Sequence, residues 1–175
     1  YIHIMLSFEE REGEVGVTKA KSLIKKYKNV FGNIWATHHP DLPGEVKGKS
    51  SNTSWGAKEA KRYLIDEQGH EIDNVTITSE DADALLPKAY FACLTYHFLT
   101  NPNRHTVIWQ AILQFYNNIW KVPLFVRVFS SSTSVMLLAT IMRKDRLINF
   151  STYTASLKMI DGIGYWDTDV IPEDW

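Results

Sequence analysis

The chain has 175 residues, 45% of them apolar and 22% charged, with a net charge of −1. Those totals fit one domain with a sizeable core and exclude global disorder. They also exclude a surface built to neutralise many nucleic-acid phosphates, and the lone Cys93 excludes an internal disulfide framework and fits a reducing compartment.

Ile2 to Phe8 is a β-rich apolar run that ends in the charged EEREGE. Ala20, Leu23, Ile24 and Tyr27 then recur at i, i+3, i+4 and i+7, which predicts an amphipathic helix. Lys19, Lys21, Lys25, Lys26 and Lys28 form its solvated face. Val30 to Thr37 reads as a second strand, closed by HHPDLPGE, whose prolines and glycine force a loop.

GEVKGKSSN, Gly44 to Asn52, has the composition of a phosphate-binding loop. Only three residues separate Gly44 from Gly48, where a P-loop needs four, so that loop type is excluded. Two readings stand for it: a solvated loop, or a flexible one in which Lys49 and backbone N–H groups hold a phosphate oxygen. Trp55 to Ile65 reads as a second helix, and Val75 to Thr78 as a third strand. Pro87 fits the first turn of a further helix, with Tyr90, Phe91, Leu94 and Phe98 as its buried face. Strands separated by helices predict an α/β fold with βαβ units, a mainly parallel sheet and ligands at the carboxyl ends of its strands.

The acids Glu80, Asp81 and Asp83 follow the third strand. In an extended segment Asp81 and Asp83 share a face and address one hard cation, Mg²⁺ or Mn²⁺, with diphosphate oxygens filling its shell. The alternative is an acidic first turn of the helix near Pro87. Asp167 and Asp169 form a competing pair, but the third acid and the glycine of a calcium loop are missing. No two of the six histidines have the spacing that places a zinc pair on one helix face.

From Asn101 onward the pattern loosens, and one or two helices lying on something apolar are expected: a groove, a membrane surface or a partner helix. Val128 to Met142 is apolar but has fifteen residues, where a membrane span needs about 20. Trp109 to Phe129 either lines an acceptor path, rests on a membrane interface or fills a core. Near the end, Glu173 and Asp174 lie beside tryptophans. Such a carboxylate serves either as a general base with a raised pKa or as a helix cap.

The order of these features is more specific than any one of them. GKSSN is followed by a strand, by Asp-Ala-Asp, by an aromatic stretch carrying Gln110, by Gly164-Tyr165-Trp166 and by Glu173-Asp174. In that order the sequence resembles the family 2 glycosyltransferases, inverting nucleotide-sugar enzymes of the A-type fold, and looks most like the membrane-embedded relatives of cellulose and hyaluronan synthases. The resemblance runs from about Ile4 to Trp175. It implies a Rossmann-like nucleotide-diphospho-sugar transferase fold, incomplete at both ends, as a single catalytic domain. Residues 1–100 would be the donor-binding βαβ half and 101–175 the acceptor-side half.

The resemblance further implies donor binding by Lys49, Ser50, Asn52, Asp81 and Asp83. Asp83 and Asp81 would hold Mg²⁺ or Mn²⁺. Ser151 to Trp166, with Gln110, Tyr165, Trp166 and Trp175, would shape the acceptor side. Asp174 would be the catalytic base beside Glu173, with Pro172 where the family has threonine. The implied partners are a nucleotide-diphosphate sugar, of which a UDP-sugar is the expected form, and a carbohydrate or lipid-linked acceptor. No nucleic acid is implied. The implied location is a membrane, reached through segments outside this chain, with the catalytic domain facing the cytoplasm. The family's leading strand with its first donor acid, and its Gln-x-x-Arg-Trp element, are absent from these residues, so the sequence is expected to be an internal segment and processivity is not implied. Nucleotidyltransfer on a related sheet, glycoside hydrolysis and a catalytically inactive binding domain are the competing readings.

Overall fold

A computed structural model of the protein describes residues 1–143, 145 and 152–171. These residues form two compact units. The first comprises Tyr1–Val75 together with residues 157–171, and the second the described residues of Thr76–Ser156.

In the first unit β1 (His3–Glu9) and β2 (Asn33–His39) lie parallel, in a register that runs from His3 opposite Asn33 to Glu9 opposite His39. They are joined by α1 (Gly13–Tyr27), which gives the βαβ crossover that the sequence predicts. Alternate strand residues face opposite ways. Phe8 meets α1, where a Cβ added at the buried Gly16 would lie 3.7 Å from the Phe8 ring. The odd-numbered positions face α2 (Lys49–Lys61): Ser7 Oγ donates to Asn52 Oδ1 at 3.2 Å, and Trp55 Nε1 donates to Thr37 Oγ1 at 2.9 Å.

The buried residues of α2 are Ser50, Ser51, Ser54, Gly56, Ala57 and Ala60, all small. That choice lets the helix backbone approach the sheet closely: a Cβ at Gly56 would stand 2.7 Å from Met5 Cε and 2.9 Å from Ser7 Oγ. α2 begins at Lys49, six residues before the start that the sequence predicts, so GKSSN is a helix N-terminus and not a flexible loop. A π-type turn, Arg62–Glu67, ends it, with Tyr63 against Trp35 at 4.6 Å between ring centres.

The second unit holds a three-stranded antiparallel sheet. β3 (Thr76–Ser79) and β4 (Ile108–Gln110) flank a central strand, β5 (Tyr153–Ser156). The expectation of a mainly parallel sheet is therefore corrected: the chain is mixed α/β, with one small parallel and one antiparallel sheet. The third predicted strand exists, but its neighbour comes from nearly eighty residues downstream, a pairing that local periodicity does not encode. All four residues of β5 are buried, so it lacks the alternation that marks a half-buried strand.

α3 (Tyr90–Thr100) buries Leu94 and Phe98, and Phe98 meets Trp109 edge-on at 5.7 Å. The helix starts three residues after Pro87, which sits in the preceding turn and not in the first helical turn. α4 (Leu124–Ile141) is one continuous helix that opens directly after Pro123. The chain returns to the first unit with α5 (Leu157–Gly162), where the Leu157 N–H donates to the Val75 carbonyl at 2.9 Å.

Candidate active site

The first-unit residues implied in donor binding cluster at the start of α2. Gly48 is the extended residue before the helix and Lys49 its first residue. The Ser50 hydroxyl is buried and donates to the backbone carbonyl of Asp167 at 2.5 Å. Asn52 receives the Ser7 hydroxyl. Ser51 Oγ turns back to the carbonyls of Val46 (2.8 Å) and Gly48 (3.1 Å).

Residues 167–171 run across this helix start. The Val46 N–H donates to the Thr168 carbonyl at 2.8 Å, and a Cβ at Gly48 would stand 3.0 Å from the Ile171 carbonyl oxygen. Residues 167–171 therefore pack beside the implied phosphate-facing residues. Asp169 lies on that segment, and its carboxyl is pushed above the ordinary carboxylate range by a hydrogen bond with the Asp167 carboxyl and by its like charge.

A cleft opens at the carboxyl ends of β1 and β2, where parallel sheets receive ligands. Its walls include Glu9, Arg11, His39, Asp41, Glu45 and Lys47. His39 is buried against Trp55, and its Nε2 lies 2.9 Å from Glu45 Oε2. Lys47 pairs with Asp41 at 2.5 Å, and Arg11 pairs with Glu9. Sequence reasoning treats HHPDLPGE only as a loop and misses this cleft. The available signal was its position, since the loop directly follows a strand of a βαβ unit.

Beyond α5 the chain turns through two left-handed residues, Gly164 (φ 85°) and Tyr165 (φ 72°). For a tyrosine that conformation is uncommon and costs energy, so specific contacts must hold it. Its N–H donates to the Ile160 carbonyl at 2.9 Å, and its hydroxyl donates to Asp161 Oδ1 at 2.6 Å. Lys61 Nζ reaches both oxygens of Asp161, at 2.8 and 2.9 Å, and the Lys58 ammonium lies 5.5 Å from the Tyr165 ring centre. The hydrogen bond from Lys61, then that from Tyr165, holds Asp161 below the usual carboxylate range. Desolvation, then the hydrogen bond to Asp161, raises the Tyr165 phenol above its ordinary value. Trp166, the next residue, is half-buried in the same turn.

In the second unit Asp81 and Asp83 directly follow β3, but on a turn: the Ala84 N–H donates to the Asp81 carbonyl at 3.0 Å. Neither an extended strand nor a helical first turn describes them. Asn117 Nδ2 donates to the Asp83 carbonyl at 3.3 Å, tying the turn to the aromatic segment. Partial desolvation, with the Asp81 charge second, raises the Glu80 carboxyl above its ordinary value. The SEDAD turn thus concentrates negative charge. Gln110 is the last residue of β4, opposite Tyr153.

Among the described residues no three His, Cys, Asp or Glu side chains converge as a ready-made metal site. Two carboxylates on one turn still suit Mg²⁺, which is commonly held by one or two carboxylates plus substrate phosphates and water. Glu173, Asp174 and Trp175 lie outside the described residues. Lys49, Ser50, Asn52, Tyr165 and Trp166 belong to the first unit; Asp81, Asp83 and Gln110 belong to the second. The chain matches no family model, no curated protein and no solved structure.

Proposed function

We propose that this chain is the catalytic part of an inverting glycosyltransferase of the A-type, Rossmann-like nucleotide-diphospho-sugar transferase class. It transfers a sugar from a nucleotide diphosphate, for which UDP is our choice, to a hydroxyl of a carbohydrate or lipid-linked acceptor. The work is done at the cytoplasmic face of a membrane. The observation that carries the reading is the Asp81-Ala82-Asp83 turn set directly after a strand end, within the motif order that starts at Lys49 and ends at Asp174.

In this reading Asp81 and Asp83 hold Mg²⁺ or Mn²⁺. When bound, such an ion offsets charge on the leaving diphosphate. The resemblance also assigns Lys49, at the positive end of α2, to phosphate binding. Asp174 takes the proton from the acceptor hydroxyl as that oxygen attacks the anomeric carbon from the face opposite the nucleotide. One displacement inverts the anomeric centre, and no covalent intermediate is needed. In the same reading Trp166, which follows the left-handed turn at Gly164-Tyr165, contributes to the acceptor side.

The test is calorimetric binding of a UDP-sugar to the full-length protein with and without Mn²⁺, followed by product analysis. Metal-dependent binding that Asp83→Asn removes, with release of UDP, supports the transferase. Asp174→Asn should keep that binding while abolishing transfer. Release of pyrophosphate would instead assign nucleotidyltransfer, and failure to bind any nucleotide sugar would leave an inactive binding domain.

A further inference from the structure

The second unit carries a helix whose polarity runs the wrong way round for water. A helix on a soluble domain turns its apolar stripe inward and its polar face outward. At 3.6 residues per turn, one face of α4 presents Leu124, Phe125, Val128, Phe129, Val135 and Met136, and every one of these is exposed. Phe125 is 86% exposed and Phe129 73%. The opposite face carries Arg127, Ser130, Ser134 and Leu137, and of the helix's eighteen residues only Ser134 and Leu137 are buried.

Three of this helix's six hydroxyls are satisfied within the helix itself. Thr133 donates to the Phe129 carbonyl at 2.9 Å, Ser134 to Ser130 at 3.0 Å, and Thr140 to Met136 at 2.8 Å. Such back-bonding to the preceding turn is how a helix satisfies its Ser and Thr groups in apolar surroundings. The entry to the helix is fastened as well. Arg127 donates to the carbonyls of Val122 (2.9 Å) and Trp120 (3.1 Å), with its guanidinium 5.5 Å from the Trp120 ring centre. Trp120 itself is exposed at the same end as Phe125.

Charge identifies the occupant. The chain holds 20 Asp and Glu, yet none falls in the sixty residues from Ala84 to Arg143. Lys88, Arg104, Lys121, Arg127 and Arg143 do, Arg143 in an ion pair with Asp145 just past the helix. An apolar helix with Trp120, Lys121 and Arg127 at one end and no acid along its length complements a bilayer with anionic headgroups. A second copy of this chain would instead bring the same cations against themselves. We infer that the outward face of α4, with Trp120, rests on the surface of an anionic lipid bilayer. The membrane contact thus belongs to this chain's own fold, in addition to any segment beyond it. The inference stands apart from the transferase reading, because lipid binding is measured without any substrate.

The test is co-sedimentation of the 175-residue chain with phosphatidylcholine vesicles, with and without phosphatidylglycerol as one lipid in three. Stronger binding to the anionic vesicles is expected. Phe125→Asp and Phe129→Asp should each weaken partitioning by roughly tenfold or more, since each removes a large buried apolar group from the lipid. Both side chains are exposed, so far-ultraviolet circular dichroism of the variants should match the parent. Three results would overturn the inference: no sedimentation with either vesicle, variants that bind as the parent does, or lipid-free self-association that the same substitutions abolish. The last would make α4 a contact between copies.

Discussion

Gly48 is the position where the start of α2 meets residue 171, and Gly48→Ala tests how that junction is held. The new Cβ would lie 3.0 Å from the Ile171 carbonyl oxygen and 3.2 Å from its Cα. Both are backbone atoms with no rotamer by which to escape. Gly48 is extended (φ −174°), so alanine brings no backbone strain of its own. The whole effect is this contact, and overpacking of this kind costs about 1–3 kcal/mol.

Opposing displacement are two hydrogen bonds to the segment, Val46 N–H to Thr168 O at 2.8 Å and Ser50 Oγ to Asp167 O at 2.5 Å. At about 1 kcal/mol each, they resist with about 2 kcal/mol. The terms are matched, so the segment should lift locally while the unit stays folded. Hydrogen exchange at the Val46 amide reads this directly. Loss of about 2 kcal/mol of protection corresponds to roughly 30-fold faster exchange. Ser50→Ala removes one of the two bonds and should accelerate the same amide about fivefold. A Val46 rate unchanged in Gly48→Ala would refute the reasoning.

Two further predictions concern the first unit. At Gly56 an added Cβ meets only movable atoms, Met5 Cε and Ser7 Oγ, and helix propensity returns about 1 kcal/mol. Gly56→Ala should therefore stay within about 1 kcal/mol of the parent in urea unfolding, while Gly56→Val should lose about 2–3 kcal/mol; equal stability of the two variants would contradict the close approach of α2 to β1. Asp161→Asn removes a carboxylate whose folded pKa is depressed, so the lost stability is present above the ordinary carboxylate pKa and vanishes as pH falls through the folded value. With Lys61 and Asp161 both about a third exposed, the loss at pH 7 should be about 0.5–1 kcal/mol, a melting shift of a few degrees that shrinks toward pH 3. A shift independent of pH would show that packing, not charge, is what the substitution removes.

The parts of the fold carried by short-range pattern were legible in the sequence. Ala20, Leu23, Ile24 and Tyr27 mark α1 through their helical spacing, and Ala20 is buried where that stripe predicts. Leu94 and Phe98 mark α3 in the same way. α2 was harder to place, because its first turns are Lys, Ser, Asn and Thr, which carry no apolar stripe. It is held there by small residues fitting against Met5 and Ser7, a relation between distant segments. β5 was illegible because a strand buried on both faces loses its period of two. Of the candidate site, the position of Asp81 and Asp83 just after a strand was legible, but the turn that presents them was not. The bond between Tyr165 and Asp161 is only four residues long, yet it follows from the left-handed backbone at Tyr165, which nothing in the residue type announces.

The sequence by itself determined the βαβ start, the helices with apolar stripes, the acid-free middle third and the order of motifs that motivates a sugar transferase. These are properties of composition and spacing, which the chain carries before it folds. Tertiary structure decided which strands pair, that the GKSSN stretch becomes a helix start covered by residues 167–171, and that α4 turns its apolar side outward. Pairing and facing depend on which distant surface buries more apolar area and satisfies more backbone groups. Those are sums over contacts that no local window contains.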